Sequence, residues 1–288
     1  MLKKNSMAEL IAQAGEGAIW QVVLRDEMAH GSSEEALREK MDEALQVMRA
    51  SVADGMDEKL RSVSGMTGGQ ASKYRAHACN TPGREMLTEA AAAALAVAES
   101  NACMGRIVAA PTAGACGVVP GLLLALSKWH GYSDRALVDA LFTAGGVGEV
   151  IARRASISGA EGGCQAEIGA AAAMAAAAAV QLAGGSAQMA GAAVAFALMN
   201  MLGLVCDPVG GLVEVPCVYR NVAGVAVALT ASDMALAGLE GILPADEVID
   251  AMGRVGKLMA ASLRETGEEG CAACPSALKW MRKSLPGA

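Results

Sequence analysis

Aromatic side chains are scarce in this chain of 288 residues, which holds three Trp, three Tyr and two Phe. Because 53% of the residues are nonetheless hydrophobic, the interior must be built from Ala, Val, Leu, Ile and Met. Small aliphatic side chains of this kind favour closely packed helices. The chain is long enough to bury a large core, as one domain or two small ones.

Positive charge is also in short supply. The formal net charge is -7, and the sequence contains no basic run interleaved with aromatic residues. Such a surface does not attract a phosphate backbone, so we expect no nucleic-acid partner. Small anions could still bind through local hydrogen-bond donors.

A secretory signal is absent from the first residues as given. The start, Met1–Ser6, carries two lysines, but no apolar segment follows because Glu9, Glu16 and Arg25 interrupt it. The eight cysteines are therefore expected in the reducing cytoplasm, as free thiols and not as a disulfide scaffold.

Charged residues are missing altogether from residues 168–206. About 20 apolar residues would be enough to cross a bilayer. This stretch, however, is dominated by Ala and Gly, which insert weakly, and it holds Gln181 and Gln188 in its middle. We predict two buried helices, at about Glu167–Ala183 and Ala187–Leu202, joined by a Gly-Gly-Ser turn, and no membrane partner.

Helical periodicity dominates the rest of the chain, and strand-like alternation is confined to Leu212–Val215. The prediction is an all-α bundle of Ala-rich helices in a single domain over residues 1–288, with N-terminal helices over about 1–60 and a core over about 61–270. Its Gly- and Pro-rich loops are expected to converge on one site. Further helices are predicted at about Met7–Met28, Glu34–Ala53, Thr88–Asn101, from near Val119, and at Arg135–Ala155, Tyr219–Ala237 and Ala245–Thr266.

Three cysteines, Cys164, Cys206 and Cys217, lie in breaks between these helices. Two prolines and a Gly pair separate the last two and prevent a continuous helix. Thiolates are the ligands that iron–sulfur sites select, and three of them leave one metal position open. Free cysteine is also commonly a small buried hydrophobe, so the residues alone leave ligation and plain burial open.

The other five cysteines give weaker evidence of a functional role. Burial as hydrophobes is the better interpretation of Cys79, Cys103 and Cys116. The only Cys-x-x-Cys pair, Cys271 and Cys274, lies near the C-terminus with no βαβ pattern around it, so a redox role there has little support.

Two loops offer anion-binding chemistry, Ser64–Gly69 and Pro111–Gly117. Neither has the Gly-Lys-Ser/Thr ending of a nucleotide-binding P-loop, and no hydrophobic strand leads into either. Both can present backbone N–H groups and hydroxyls at helix N-termini, which suit a small carboxylate. Ordinary turns with capping hydroxyls are the alternative.

Four segments together resemble the iron–sulfur-dependent L-serine dehydratases, specifically the α subunit of the two-subunit form. The resemblance covers about residues 52–270 and rests on Ser64–Gly69, Ala110–Gly117, Ala155–Glu167 and Cys206–Asn221. It implies β-elimination of water from L-serine, which gives pyruvate and ammonia. It also implies a [4Fe–4S] cluster held by Cys164, Cys206 and Cys217, with the fourth iron open to the substrate. The expected substrate-binding residues are Ser64, Thr67, Gly68, Gly69, Thr112, Ser156 and Ser158.

The catalytic base is not apparent, since all three histidines lie outside these segments. Within the chain His77 and Lys73 are the candidates. The family's Ser-His-Thr-x-Gly-Pro motif is absent, so the resemblance implies a separate β subunit that completes the site, and it allows a higher oligomer.

Where relatives continue with Gly-Gly-Leu-Ala, this chain has Cys271 and Cys274 instead, either of which could cap the open iron. Two other functions remain open at this point: a related L-cysteine desulfidase, because an open iron would bind a thiol readily, and a non-catalytic cluster-binding or redox-sensing protein.

Overall fold

The computed structural model describes residues 6–77 and 84–284, and within these ranges the predicted all-α class is confirmed. No β-strand forms there, and one isolated bridge pairs Cys206 with Arg264. The α-helices are α1 (Met7–Ala14), α2 (Ile19–Ala29), α3 (Glu34–Gly55), α4 (Gln70–Ala76), α5 (Arg84–Ala102), α6 (Val118–His130), α7 (Asp134–Arg154), α8 (Gly159–Gly162), α9 (Ala170–Leu182), α10 (Ala187–Met201), α11 (Cys217–Leu236), α12 (Ala245–Leu258) and α13 (Pro275–Ser284).

The first predicted helix is divided in two. Periodicity predicted one helix over Met7–Met28, but Gly15 ends α1 with a φ of 53°, and a second Gly follows at position 17. Glycine adopts this positive φ without the steric penalty that a side chain would impose. The chain therefore turns before α2 begins, and both halves bury their apolar faces in the core.

Two further boundaries differ from the predictions. The helix predicted over Ala245–Thr266 ends at Leu258, and a 3₁₀ turn over Ala261–Leu263 follows. Leu212–Val215 is a turn and not a strand, with the Glu214 N–H donating to the Leu212 carbonyl. Alternating apolar residues in a loop held between Gly and Pro imitate a strand without a partner to pair with.

Helix α9 lies at the centre of the bundle and packs against α6, α7, α10 and α11. All eleven residues from Ala170 through Val180 are buried. Alanine lets neighbouring helix backbones approach closely, which accounts for a long uncharged helix in the interior. Among the described helices, none combines the length and hydropathy that crossing a membrane would require.

The predicted site loops join this central layer. Cys164 directly precedes a π turn over Gln165–Gly169, which leads into α9, and Cys217 is the first residue of α11. Helices α9 and α11 pack against each other. The core of the bundle therefore holds two of the three cysteine segments in fixed positions.

Candidate active site

The structure brings the sulfurs of Cys164, Cys206 and Cys217 together. The three residues are buried, with exposed fractions of 1%, 2% and 5%, and all are free thiols. The Cys206 thiol hydrogen-bonds to Cys164, and Cys217 lies within electrostatic reach of both. Residues up to 53 positions apart in the sequence thus share one buried site.

Electrostatics within this cysteine group favour one thiolate at most. The hydrogen bond from Cys206, and to a smaller extent Arg220, lower the pKa of Cys164. The same hydrogen bond and burial raise the pKa of Cys206. Burial, with the nearby negative charges of Cys164 and Glu167, raises the pKa of Cys217 to about 12. Ionising all three thiols requires additional positive charge, which a metal centre supplies.

The described side chains form no site for a single metal ion. No three His, Cys, Asp or Glu side chains within residues 6–77 and 84–284 are grouped tightly enough to hold one metal ion. A single zinc needs its ligands at about 2.0–2.3 Å from one point, whereas an iron–sulfur cluster spreads its thiolates over several irons. Cys164, Cys206 and Cys217 are thiol donors of the kind that such a cluster takes.

Arg220 ties the three cysteine segments to one another. Its Nη2 lies 2.7 Å from Asp207 Oδ1, its Nη1 donates to the Val205 carbonyl at 2.7 Å, and its side chain also hydrogen-bonds to Cys164. Arg220 itself stands one helical turn after Cys217 in α11. Burial alone would raise the pKa of Asp207, but the Cys271 N–H and Arg220 lower it, so this buried carboxylate is charged.

Glu167 places a carboxyl group beside the Cys206 sulfur. Its Oε2 lies 4.0 Å from Cys206 Sγ, and its Oε1 accepts a 2.6 Å hydrogen bond from the Thr112 hydroxyl. Burial raises the pKa of this carboxyl group. The contact connects the predicted loop at Thr112 to the cysteine site.

Two glycines leave room for that contact. A Cβ on Gly159 would lie 2.7 Å from Glu167 Oε2 and 3.0 Å from Cys206 Sγ, and one on Gly114 would lie 3.3 Å from Glu167 Oε1. Distances this short would force the sulfur or the carboxylate to move. The two loops therefore form a cradle without side chains around Cys206 and Glu167.

Gly163 sets the direction of the chain into Cys164. Its φ of 74° and ψ of -176° belong to a region that only glycine adopts readily. A Cβ there would lie 2.9 Å from the Leu204 carbonyl oxygen. The π turn then begins with Gln165. Turns of this kind are frequent at functional sites.

The donors of the Ser64–Gly69 loop are largely used within the protein. The fully buried Glu99 accepts hydrogen bonds from the N–H groups of Gly68, Gln70 and Ala71 at 3.0–3.1 Å. The Thr67 hydroxyl donates to Glu214 Oε2 at 3.0 Å. These contacts fix the loop against α5 and against the turn that precedes Cys217.

Of the serines in this loop, Ser64 accepts from the Met66 N–H and lines a separate cavity with Val213 and Glu214. Val213 also lies near Gly114, since a Cβ there would be 3.5 Å from Val213 Cγ1. The loop thus adjoins the cysteine site through residues 213–214 and does not contact the sulfurs directly.

The two predicted serines before Cys164 have different surroundings. Ser158 precedes Gly159 and is half-buried beside the cradle. The Ser156 hydroxyl donates to Glu161 at 2.6 Å, accepts from the Ser158 N–H, and lines a different cavity with Arg264. Of this pair, Ser158 is the one next to Gly159, where a Cβ would lie 3.0 Å from Cys206 Sγ.

The other predicted candidates lie apart from the sulfurs or at the edge of the site. Lys73 and His77 are exposed on and just after α4. Cys271 is half-buried and bound through its N–H to Asp207 at 2.6 Å, whereas Cys274 is exposed. Cys116 is fully buried, as expected of a small hydrophobe, and Cys103 is half-buried. Cys79 lies outside the described residues.

Sequence reasoning missed the roles of Arg220, Glu167, Asn221 and Glu99. The buried Asn221 accepts from the Gly117 N–H and donates to the Gly114 and Cys217 carbonyls at 2.8–2.9 Å. Helical spacing could have indicated two of the four, because Glu167 and Arg220 each follow a predicted cysteine ligand by three residues. No local signal points to Glu99.

A protein-family model described as "Serine dehydratase alpha chain" matches residues 15–272. The chain belongs to the serine dehydratase alpha chain family. Every residue of the cysteine site lies within the matched range. Two similar alpha chains cover nearly the whole sequence: the "Probable L-serine dehydratase, alpha chain" of Bacillus subtilis is 47% identical over 89% of this chain and 86% of its own length, and the "L-serine dehydratase, alpha chain" of Peptoniphilus asaccharolyticus is 40% identical over 98% of both.

A longer relative shows that family members differ in size. The "L-serine dehydratase" of Helicobacter pylori is 44% identical over 182 residues, which make 62% of this serine dehydratase alpha chain but only 40% of the H. pylori protein. More than half of that protein therefore lies outside the matched region.

Proposed function

We propose that this serine dehydratase alpha chain holds a [4Fe–4S] cluster through Cys164, Cys206 and Cys217 and converts L-serine to pyruvate and ammonia. The observation that carries the proposal is the convergence of three buried free thiols on one site in a chain of this family. When bound, the cluster supplies a Lewis-acidic iron that assists departure of the serine hydroxyl.

The protein's own groups prepare the site for charged ligands. Arg220 offsets the negative charge of the Cys164 thiolate and holds the Cys206 segment through Val205 and Asp207. The glycine cradle lets Glu167 and Cys206 lie close to the backbone of residues 114 and 159, where a Cβ would displace them. Loss of the α-proton and of hydroxide, together one water, gives an enamine, which takes water back and releases ammonia.

We propose that substrate contacts come first from Thr112, which donates to Glu167, and from Ser158, which directly precedes Gly159 of the cradle. The more distant members of the expected set, Ser64, Thr67, Gly68, Gly69 and Ser156, act through the loops that they stabilise. Thr67, for example, is buried and hydrogen-bonded to Glu214, so its loss would shift the turn before Cys217.

A second chain is part of the proposal. The two extensive relatives are named alpha chains, and the H. pylori relative is much longer than the matched region. Lys73 and His77 are both exposed, whereas the three cysteines are buried. We therefore assign the proton-abstracting base to the partner, whose approach would complete the site.

Pyruvate formation tests this function. The anaerobically purified chain is mixed with its candidate partner, and L-serine, L-threonine and L-cysteine are compared as substrates. We expect turnover of L-serine by the mixture, abolished in Cys206→Ala and retained in Cys103→Ser, which alters a half-buried cysteine outside the site. Faster release of sulfide from L-cysteine than of pyruvate from L-serine would instead assign a desulfidase.

A further inference from the structure

A second cavity, of about 330 Å³, lies between α12, the end of α7 and the loop before Cys164. Its volume falls at the lower end of the range typical of small-molecule sites. The polar side chains that line it come from Arg154, Ser156, Glu161, Gln165, Lys257 and Arg264. Three of these six are cations and one is an acid.

Two of the cations have no partner among the residues that the structure describes. Arg154 is neutralised by Asp250, at 2.7 Å, and by Asp246, at 3.5 Å. Neither Lys257 nor Arg264 has a side-chain hydrogen bond or ion pair within the described part of the chain. The Nε of Arg264 is moreover buried, and a buried donor normally has a partner.

The carboxylate in the cavity does not neutralise Lys257 or Arg264. Glu161 accepts the Ser156 hydroxyl through Oε2 and is exposed at the rim. Gln165 is committed as well, since its amide donates to the Met252 carbonyl and accepts from the Gly203 N–H. Two positive charges therefore remain for a ligand that enters from outside.

We propose that this cavity binds a small oxyanion, a carboxylate or a phosphate, between Arg264 and Lys257. The planar guanidinium of Arg264 presents donors that match two oxygens of such a group, and Lys257 adds a point charge from α12. The site is separate from the cysteine group, and the proposal does not depend on the cluster or on serine turnover.

The cavity lies beside the segments that hold Cys164 and Cys206. Arg264 forms the bridge with Cys206, whose N–H donates to the Leu263 carbonyl at 2.9 Å and whose carbonyl accepts from the Glu265 N–H at 2.7 Å. Gln165 follows Cys164 directly. An anion in this cavity therefore contacts the segments of two cysteines at once and stabilises their arrangement.

Calorimetric titration of the full-length protein tests the proposal. Sodium phosphate and sodium acetate are titrated separately at an ionic strength held constant with chloride. We expect saturable binding of at least one, and the tighter of the two tells a phosphate-bearing ligand from a carboxylate. Arg264→Gln and Lys257→Gln should each weaken it at least tenfold, whereas Arg254→Gln, at an exposed cation of α12 outside the cavity, should leave it unchanged.

Lys257→Gln keeps the test decisive if the Arg264 change disturbs folding, because Lys257 is exposed, and exposed substitutions usually change stability little. Wild-type affinity in Lys257→Gln would overturn the proposal. So would the absence of saturable binding of both anions to the wild-type protein.

Discussion

At the scale of single residues, the cysteine site requires the backbone of one residue to approach the side chains of others closely, with no side chain of its own between them. Gly159 is the clearest case, since a methyl group there would meet both Glu167 and Cys206. Hydrogen at this position is therefore a requirement of the site and not of the backbone fold.

Replacing this glycine tests that requirement. We expect Gly159→Ala to move the Cys206 sulfur or the Glu167 carboxylate and to reduce serine turnover by at least tenfold. The control is Gly145→Ala, an exposed position in the interior of α7 with no atom within 4 Å of the new Cβ, where alanine should raise the unfolding free energy by about 1 kcal/mol. Equal activity in both variants would show that the cradle is not part of the site.

Arg220 stabilises the fold through a buried ion pair with Asp207. Its partner Asp207 is 3% exposed, so Arg220→Gln would leave a buried carboxylate without its cation. Breaking a buried pair in this way costs about 3–5 kcal/mol. Denaturant unfolding should show a loss of this size, and Arg153→Gln, which removes a surface pair with Glu149, should lose less than about 1 kcal/mol. Similar losses in the two variants would contradict the role given to Arg220.

The fully buried Cys116 lies in the core and not in the site. Burial raises the pKa of its thiol from 9.0 to about 12. The unfolded chain therefore releases this proton first, and the contribution of Cys116 to stability is present below pH 9 and decreases as the pH rises from 9 towards 12. Iodoacetamide should modify Cys116 only after unfolding, which mass spectrometry of the labelled protein can establish. Labelling in the native state at the rate of the exposed Cys274 would contradict its burial.

Residue-scale analysis singled out the three cysteines, whose ligand role stays a prediction, but it did not identify the contacts of distant carboxylates. The three cysteines were singled out because thiols in Gly- and Pro-rich breaks suggest ligation, and the structure groups them. Glu99 and Glu214 were missed because their partners, at Gly68 and Thr67, are 31 and 147 residues away. Nothing in one segment indicates which distant carboxylate will occupy its donors.

At the scale of helices, the Ala-rich α9 governs the position of the site, because it leads away from Cys164 and packs against α11. Each of its alanines up to residue 179 is buried. A larger side chain at this interface would push the neighbouring helices apart.

The change in unfolding free energy caused by a larger side chain in α9 measures how closely the central helices are packed. We expect Ala176→Leu, at a fully buried position, to lower the unfolding free energy by about 1–3 kcal/mol. Ala223→Leu on the exposed side of α11 should change it by less than about 0.5 kcal/mol. An equal effect at the two positions would mean that α9 is not closely packed.

Helix prediction was most accurate where a cap marks the boundary. Ser186 accepts from the Met189 N–H, and α10 begins at the predicted residue, Ala187. The division near Gly15 was missed because the apolar periodicity continues across it. A break inside an amphipathic pattern depends on how the two halves pack, and local sequence does not contain that information.

At the scale of the whole molecule, the bundle places two cysteine segments at its centre and the third, with Cys206, in a bridge beside them. The family and the all-α class could both be predicted from the sequence. The sequence did not identify a catalytic base within the chain, and both candidates, Lys73 and His77, are exposed in the structure. The proposal that a second chain supplies the base is tested by the mixing experiment described above.

The iron and acid-labile sulfide content of the anaerobically purified protein tests whether Cys164, Cys206 and Cys217 jointly hold a cluster. We expect about four irons and four sulfides per wild-type chain, as a [4Fe–4S] cluster contains, and the same content in Cys103→Ser. Each of the variants Cys164→Ala, Cys206→Ala and Cys217→Ala should lose most of both elements while it retains helical circular dichroism. Full iron and sulfide content in any one of these three variants would contradict the account.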